Sequence, residues 1–526
     1  MSRPVGRPLS TDAVVIGDLL RDAAAADPDR EAYVHGEKRV SYGWLDRAAD
    51  GFASTLLDGG VNPGDVVGLL LPSSIKFAAC YLGALRVGAI TSAINRRLGP
   101  AEQASIVGRT APKLTVVGDG AALAPGPDPG RVLPVTELKE AFEAEPSSRL
   151  PNVAPTDPTC IVWTSGTTGA PKGAVYDHES QAAISRNIGV LTSPGDRRLV
   201  SLPFPHVGYM TRIWDELANT TTIVLVGEPW SAAETLRLIR EERITMGTGV
   251  PTQWSLVLEH PDLERTDFSG LRVAGLGGAA IAPELVRRMR ETLRCPVITR
   301  YTSTEAGVTT STLADDPDEV IATTVGKPAP EVELRIVDPA DGQDVAVDAN
   351  GASAVGEVIC RSPAMMRGYW HDPELTATVV DRHGWLHTGD LGGMGADGNL
   401  RIVGRLKEMY IRGGYNVYPV EVEAVLAEHP DVVRAAVVGV PDSVLGEVGV
   451  AYVVADPGGP PPDRDSLRAW CRERIADYKA PDRVIVLDEL PITPMLKVDK
   501  RALVERAAVE RAENDMTTST IGQEAS

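Results

Sequence analysis

Through the first part of the chain, short apolar runs of 5 to 7 residues alternate with amphipathic segments of 10 to 17, and this alternation constrains the fold more than any other feature. Residues 66–71, 113–117, 199–202, 222–226, 272–276 and 296–301 read as strands, with 75–87, 213–218, 232–242 and 283–293 as helices between them. A strand that is apolar at nearly every position leaves no side for water, so both its faces must be covered. Repeated β-α units of this kind predict parallel sheets flanked by helices. After about Val325 the strands become short and alternating, at 331–337 and 356–361, with Asp-Gly and Asn-Gly turns at Asp341-Gly342, Asn350-Gly351 and Asp397-Gly398. That pattern predicts an antiparallel or barrel-like section. Beyond Gly404 an α+β pattern follows: helix 420–428, strands 432–440 and 448–454, helix 466–476 and strand 483–487. The change places a domain boundary near Arg405 to Lys407, and the polar tail from about Glu510 reads as frayed.

Composition narrows the function. With 52 Lys plus Arg against 72 Asp plus Glu, the net charge is −20 over 526 residues. Nucleic acid draws its affinity from counterion release to a basic surface, so an acidic chain without long Lys/Arg runs is not expected to bind it. A small anion is not excluded, because a few amides and cations reverse the field locally. The most apolar stretch, 66–90, is broken by Pro72, Lys76 and Arg86, so no spanning helix is expected. Five cysteines (Cys80, Cys160, Cys295, Cys360, Cys471) without CxxC spacing read as buried thiols of a cytoplasmic protein.

The strongest chemical signal is Thr164-Ser-Gly-Thr-Thr-Gly-Ala-Pro-Lys-Gly173, directly after the apolar run 161–163. Gly166 and Gly169 permit a tight turn whose N–H groups converge, Thr164, Ser165, Thr167 and Thr168 carry hydroxyls, and Lys172 adds a full charge. This is a phosphate cradle. It is not the common strand-to-helix phosphate loop, because Pro171 and Gly173 stand where that motif has Gly and Ser or Thr. Lysine is scarce, ten against 42 Arg, which makes its presence here more pointed.

With later segments in the same order, this loop resembles the signature of the adenylate-forming superfamily, which includes acyl-CoA synthetases and stand-alone adenylation domains. Tyr301-Thr-Ser-Thr-Glu305 is similar to its YGxTE motif, His387-Thr-Gly-Asp390 to its TGD motif, and Gly404-Arg-Leu-Lys407 to its hinge. Gly413-Gly414 and the segment 491–500 complete the series over nearly the whole chain. The resemblance implies an α/β fold: a large N-terminal domain (1–407) of two doubly wound sheets plus a β-barrel-like section, and a small mobile α+β C-terminal domain (408–526) hinged near Lys407. It implies ATP, Mg²⁺ and CoA as ligands and an AMP-forming acid:CoA ligase as the activity. The alternatives are an amide bond synthetase delivering the acyl group to an amine, and an adenylase loading a carrier protein; the oligomeric state stays open.

Residue roles follow from the same resemblance. Glu305 holds Mg²⁺; Thr304 and the loop hydroxyls contact phosphate; Tyr301, Gly278 and Ala279 border the nucleotide; Asp390 and Arg405 hold the ribose. Lys497 is the adenylating lysine, with Lys500 the competing assignment, and Leu496 departs from the Gly usual before that lysine. His206, in Pro203-Phe-Pro-His-Val-Gly-Tyr209, orients the acid or is a structural histidine. Gly413 and Gly414 leave a narrow passage for the pantetheine arm of CoA. Thr302 and Arg300 replace small residues at the acyl end, which implies an acid of unusual shape. Asp465-Ser466-Leu467 mimics a carrier-protein attachment site, but Ser466 opens an amphipathic helix and reads as its cap.

Overall fold

The computed structural model describes residues 15–144, 150–164, 171–456, 462–493 and 497–510. Four sheets organise them. A seven-stranded sheet has as its parallel centre the strands Ile90–Ala93, Val66–Leu70 and Leu114–Val117. A nine-stranded sheet has at its centre the parallel strands Thr222–Leu225, Arg197–Val200, Met246–Gly249, Val273–Gly277 and Val297–Ser303. The expected doubly covered strands are there. Within Val66–Leu70, Val67 and Leu69 enter the large core between the sheets, while Val66 and Leu70 join smaller clusters on the other face. In the second sheet, Val200, Ile223 and Ile298 face that same large core, and Leu199, Val224 and Val297 face the outer helices.

The helix Ile75–Arg86 runs through the central core with Ser74 as its cap, the Oγ accepting from Phe77 N at 3.2 Å. It is buried nearly all round, as an almost uniformly apolar helix must be. Strands Glu31–His35 and Lys38–Ser41, which carry no continuous apolar run, extend the second sheet beside Thr222–Leu225. The section after Val325 is a four-stranded antiparallel sheet of Glu333–Val337, Gly356–Arg361, Leu386–Met394 and Leu400–Arg405. The smaller C-terminal domain packs the hairpin Val432–Asp442 and Gly446–Ala455, with Arg483–Leu487 alongside, against the helices Pro419–Ala427 and Arg464–Arg472. The latter helix is capped by Asp463, whose carboxylate accepts from Asp465 N and Ser466 N, so Ser466 lies inside the first turn and is not the cap. All five cysteines are free and buried, and no described helix is long and apolar enough to cross a membrane. The tail beyond residue 510 lies outside the described residues.

Candidate active site

The phosphate loop sits at the tip of an antiparallel hairpin: Thr164 pairs with Lys172 where Pro158–Thr164 turns back into Lys172–Asp177. The chain returns as a strand and does not enter a helix directly, and Lys172 brings a full positive charge to the hairpin's end. Residues Ser165, Gly166, Thr167, Thr168 and Gly169 lie outside the described set. Lys172 at the loop's end holds its ammonium 5.6 Å from the centre of the Tyr369 ring. Tyr369 in turn donates from its hydroxyl to Glu305 Oε1 at 2.9 Å. The Tyr176 hydroxyl, from the same strand as Lys172, donates to the Thr304 carbonyl. Loop cation and motif carboxylate are thus joined through Tyr369, while Tyr176 ties the backbones of their two segments together. No sequence signal marks these partners, because Tyr369 is 64 residues from Glu305 and becomes its neighbour only when Gly368–Tyr369 adds to the hairpin.

A second carboxylate is built where two sheets meet. Asp390 is buried; its Oδ2 accepts from the Tyr301 hydroxyl at 2.5 Å and its Oδ1 from Arg405 Nε at 2.9 Å. Burial and then the Asp390 charge hold the Tyr301 phenol well above its usual range, so it stays a donor. Gly389, at φ +69°, takes the left-handed conformation that a side chain resists, and its N–H is held by Glu357 Oε1 at 3.0 Å. Glu357 also pairs with His387 Nδ1 at 2.8 Å, a support that sequence reading missed. With one protein donor on each oxygen, Asp390 retains lone pairs for a vicinal diol. Gly278, at φ +79°, and the exposed Ala279 form the turn from Val273–Gly277 toward the helix Pro283–Leu293.

His206 caps the short helix Val207–Met210, its Nδ1 accepting from Gly208 N at 3.0 Å. An accepting Nδ1 places the proton on Nε2, which is left as a donor. Burial, and secondarily the charge of Lys497, push His206 down to about 3, so the ring is neutral. Lys497, half-buried, shares its field with Arg405, Asp390 and Glu305 as well as His206. Burial and then Arg405 lower the lysine, while Asp390 and Glu305 oppose that. Lys500 points elsewhere, into Glu423 at 2.9 Å and Glu408 at 3.0 Å. Leu496 lies outside the described residues. Gly413 and Gly414, at φ +57° and +88°, are the exposed turn between Tyr410–Arg412 and Tyr415–Val417, a conformation that selects glycine at both places. Among the described residues no cluster of three or more His, Cys, Asp or Glu could by itself enclose a metal.

Comparisons with known proteins show the family of the chain. The model of the AMP-binding enzyme family matches residues 20–370, and that of the AMP-binding enzyme C-terminal domain matches 421–497. A 3-[(3aS,4S,7aS)-7a-methyl-1,5-dioxo-octahydro-1H-inden-4-yl]propanoyl:CoA ligase of Mycobacterium tuberculosis is 37% identical over 93% of this chain and 100% of its own. A feruloyl-CoA synthase of an Amycolatopsis species is 34% identical over 91% of this chain and 96% of its own. Among solved structures, the amide bond synthetase McbA of Marinactinospora thermotolerans is 30% identical with a TM-score of 0.80, covering 93% of this chain and 99% of that one. ATP-bound MatB of Rhodopseudomonas palustris is 28% identical with a TM-score of 0.84, covering 93% and 98%. The chain belongs to the AMP-binding enzyme family, within the adenylate-forming superfamily, as a protein of the acyl-CoA ligase type.

Proposed function

We propose that the enzyme joins a carboxylic acid to AMP at the expense of ATP and then passes the acyl group to the thiol of CoA. In the first step a carboxylate oxygen bonds to the α-phosphorus while the bond from that phosphorus to the pyrophosphate oxygen breaks. Anion meets anion, so catalysis here consists of fixed positive charge and alignment. The observation that carries the reading is the convergence of Lys497, from the C-terminal domain, with His206, Glu305, Asp390 and Arg405 from the other side of the cleft.

Each residue then has a task. Asp390, held by Tyr301 and Arg405, grips the ribose diol and fixes the nucleotide. Lys172 serves the leaving phosphates, and the loop residues Thr164, Ser165, Gly166, Thr167, Thr168 and Gly169 are assigned the same task from their motif. His206 donates its Nε2–H to the acid and turns one oxygen toward phosphorus, a gain in orientation rather than in proton transfer. Gly278 and Ala279 border the adenine, and Thr304 faces phosphate. A magnesium ion needs only one or two carboxylates when phosphate oxygens and waters complete its shell, so Glu305 suits it without an acidic cluster among the described residues. When bound, the ion would neutralise phosphate charge.

For the second step we place the hinge at Lys407, between a 1–407 domain and a 408–526 cap, whose rotation brings Gly413-Gly414 to the acyl-adenylate. CoA is preferred as acceptor because the named relatives are CoA ligases; the likeness to an amide bond synthetase keeps an amine as the second reading. Screening acids by ATP–pyrophosphate exchange, then offering CoA or amines, tests both. Thioester formation is expected, and amide without thioester would reverse the order of the two readings.

A further inference from the structure

The strand Lys172–Asp177, which leaves the phosphate loop, is flanked by Gly368–Tyr369, with Tyr369 opposite Ala174 and Gly368 opposite Val175. Trp370 N–H, bonded to the Gly173 carbonyl at 2.7 Å, carries the pairing one residue further. There the ladder ends. His371 leaves the strand at φ +49°, and Pro171 has no N–H to donate. Lys172, the cation assigned to the leaving phosphates, therefore stands at an open end, where backbone pairing no longer fixes it.

Arg109, in the last turn of the helix Pro100–Thr110, closes that end. Its Nη1 donates to the Pro171 carbonyl at 2.5 Å and its Nη2 to Asp372 Oδ2 at 3.2 Å. Its own carbonyl accepts from Trp370 Nε1 at 3.1 Å. Asp372 is itself fixed, its N–H bonded to the Tyr369 carbonyl at 3.1 Å and its Oδ1 capping the helix Pro373–Ala377 by accepting from Leu375 N at 3.0 Å. The Arg109–Asp372 pair is partly exposed on both sides, so as an ion pair alone it adds little to stability. A guanidinium fork nevertheless holds two acceptors at a set spacing, which the single ammonium of lysine does not. Here the acceptors are the residue directly before Lys172 and one just after Tyr369. What the fork fixes is the relation between those two, the ammonium lying over the Tyr369 ring and the Tyr369 hydroxyl holding Glu305.

Resting on the ligase reading above, we propose that Arg109 is a positioning residue for the phosphate end of ATP. It acts through Lys172, keeping the loop cation at one spacing from Tyr369 and the motif carboxylate. Alignment is the main resource of this chemistry, and a shift of about 1 Å can cost ~100-fold in rate.

The test is ATP–pyrophosphate exchange by the full chain, titrating ATP, pyrophosphate and an accepted acid separately, beside thioester formation from the matching synthetic acyl-AMP and CoA. Arg109→Met should raise KM for ATP and pyrophosphate by ~10-fold or more and leave KM for the acid within about twofold, the scale of one lost bond from a charged donor. Thioester formation from acyl-AMP, which involves no polyphosphate, should be unchanged. Arg109→Lys should restore part of the loss, because one ammonium does not span both acceptors. Calorimetric titration with α,β-methylene ATP should show the same order of Kd among native, Lys and Met forms. Unchanged affinity for the nucleotide overturns the proposal, and so does a loss shared equally by ATP, acid and acyl-AMP, which marks a residue that only supports the fold. If the native enzyme exchanges with no acid the ligase reading falls, and the calorimetric titration still decides what Arg109 does.

Discussion

Lys497 combines two requirements that oppose each other: it must be charged to meet phosphate, and it stands half-buried beside Arg405, which lowers its affinity for a proton. The nearby Asp390 and Glu305 carboxylates offset that. Lys497→Ala is expected to reduce pyrophosphate exchange by at least ~100-fold, the scale of losing one transition-state contact. Thioester formation from synthetic acyl-AMP should persist, because that step does not use the lysine; if exchange is unaffected, the role lies with another cation. His206 has the opposite character. It titrates near 6.5 when unfolded and is pushed down to about 3 when folded, so between those values the unfolded chain binds more protons. Its contribution to stability is complete above pH 6.5 and falls as the pH drops toward 3, by up to ~1.4 kcal/mol per pH unit. His206→Gln should flatten the dependence of Tm on pH in that window, and an unchanged slope would show that the ring is not held neutral. His178, pushed down to about 4 chiefly by burial, adds a similar slope and remains in the variant.

At the scale of elements, the helices Tyr42–Asp58 and Ile75–Arg86 show how charge enters a core safely. They cross where Gly83 lies so close to its neighbour that an added Cβ would stand 2.6 Å from the Ala49 carbonyl. Arg86, at the end of the second helix, binds Asp46 and Asp50 on the first, with Asp50 only 2% exposed. Arg86→Met is expected to lower stability by ~3–5 kcal/mol in denaturant unfolding, because it leaves the buried Asp50 carboxylate with only the longer Arg21 contact at 3.4 Å. A loss under ~1 kcal/mol would place that pair among weak, solvent-screened ones. The helix Ile75–Arg86 and most central strands were legible in the sequence, because apolar runs act over a few residues; the helix Tyr42–Asp58 was not read there. Glu31–His35 was not legible, since its place in the sheet comes from pairing with Thr222–Leu225, some 190 residues away.

For the whole molecule, the point of interest is the junction of the two domains. Leu406 N–H is bonded to the Gly389 carbonyl of the large domain at 2.9 Å. Glu408 is tied through Lys500 to Glu423 of the small one. Lys407 stands between these anchorages, where a change in backbone angles would swing one domain against the other. Proline fixes φ near −65°, so Lys407→Pro should leave pyrophosphate exchange within about threefold and depress thioester formation by more than ~100-fold. Equal loss in both half-reactions would move the pivot elsewhere. The charge of −20 does not bar anionic substrates, because a few cations set the field locally: Lys497 stands near Arg405, and Lys172 lies at the end of the loop hairpin.

The sequence by itself determined the layered α/β architecture and the family, because hydrophobic period and ordered glycine-, hydroxyl- and lysine-bearing motifs are local properties. It named Lys497, Glu305, Asp390 and His206 one at a time. Only the tertiary structure decided that Lys497 sits by Arg405, Asp390 and Glu305 while Lys500 pairs with Glu423 and Glu408, and that Tyr369 and Glu357 hold the motif residues. Each of those depends on what distant segments bring into one low-dielectric space, and neither burial nor pairing can be read from neighbours in the chain.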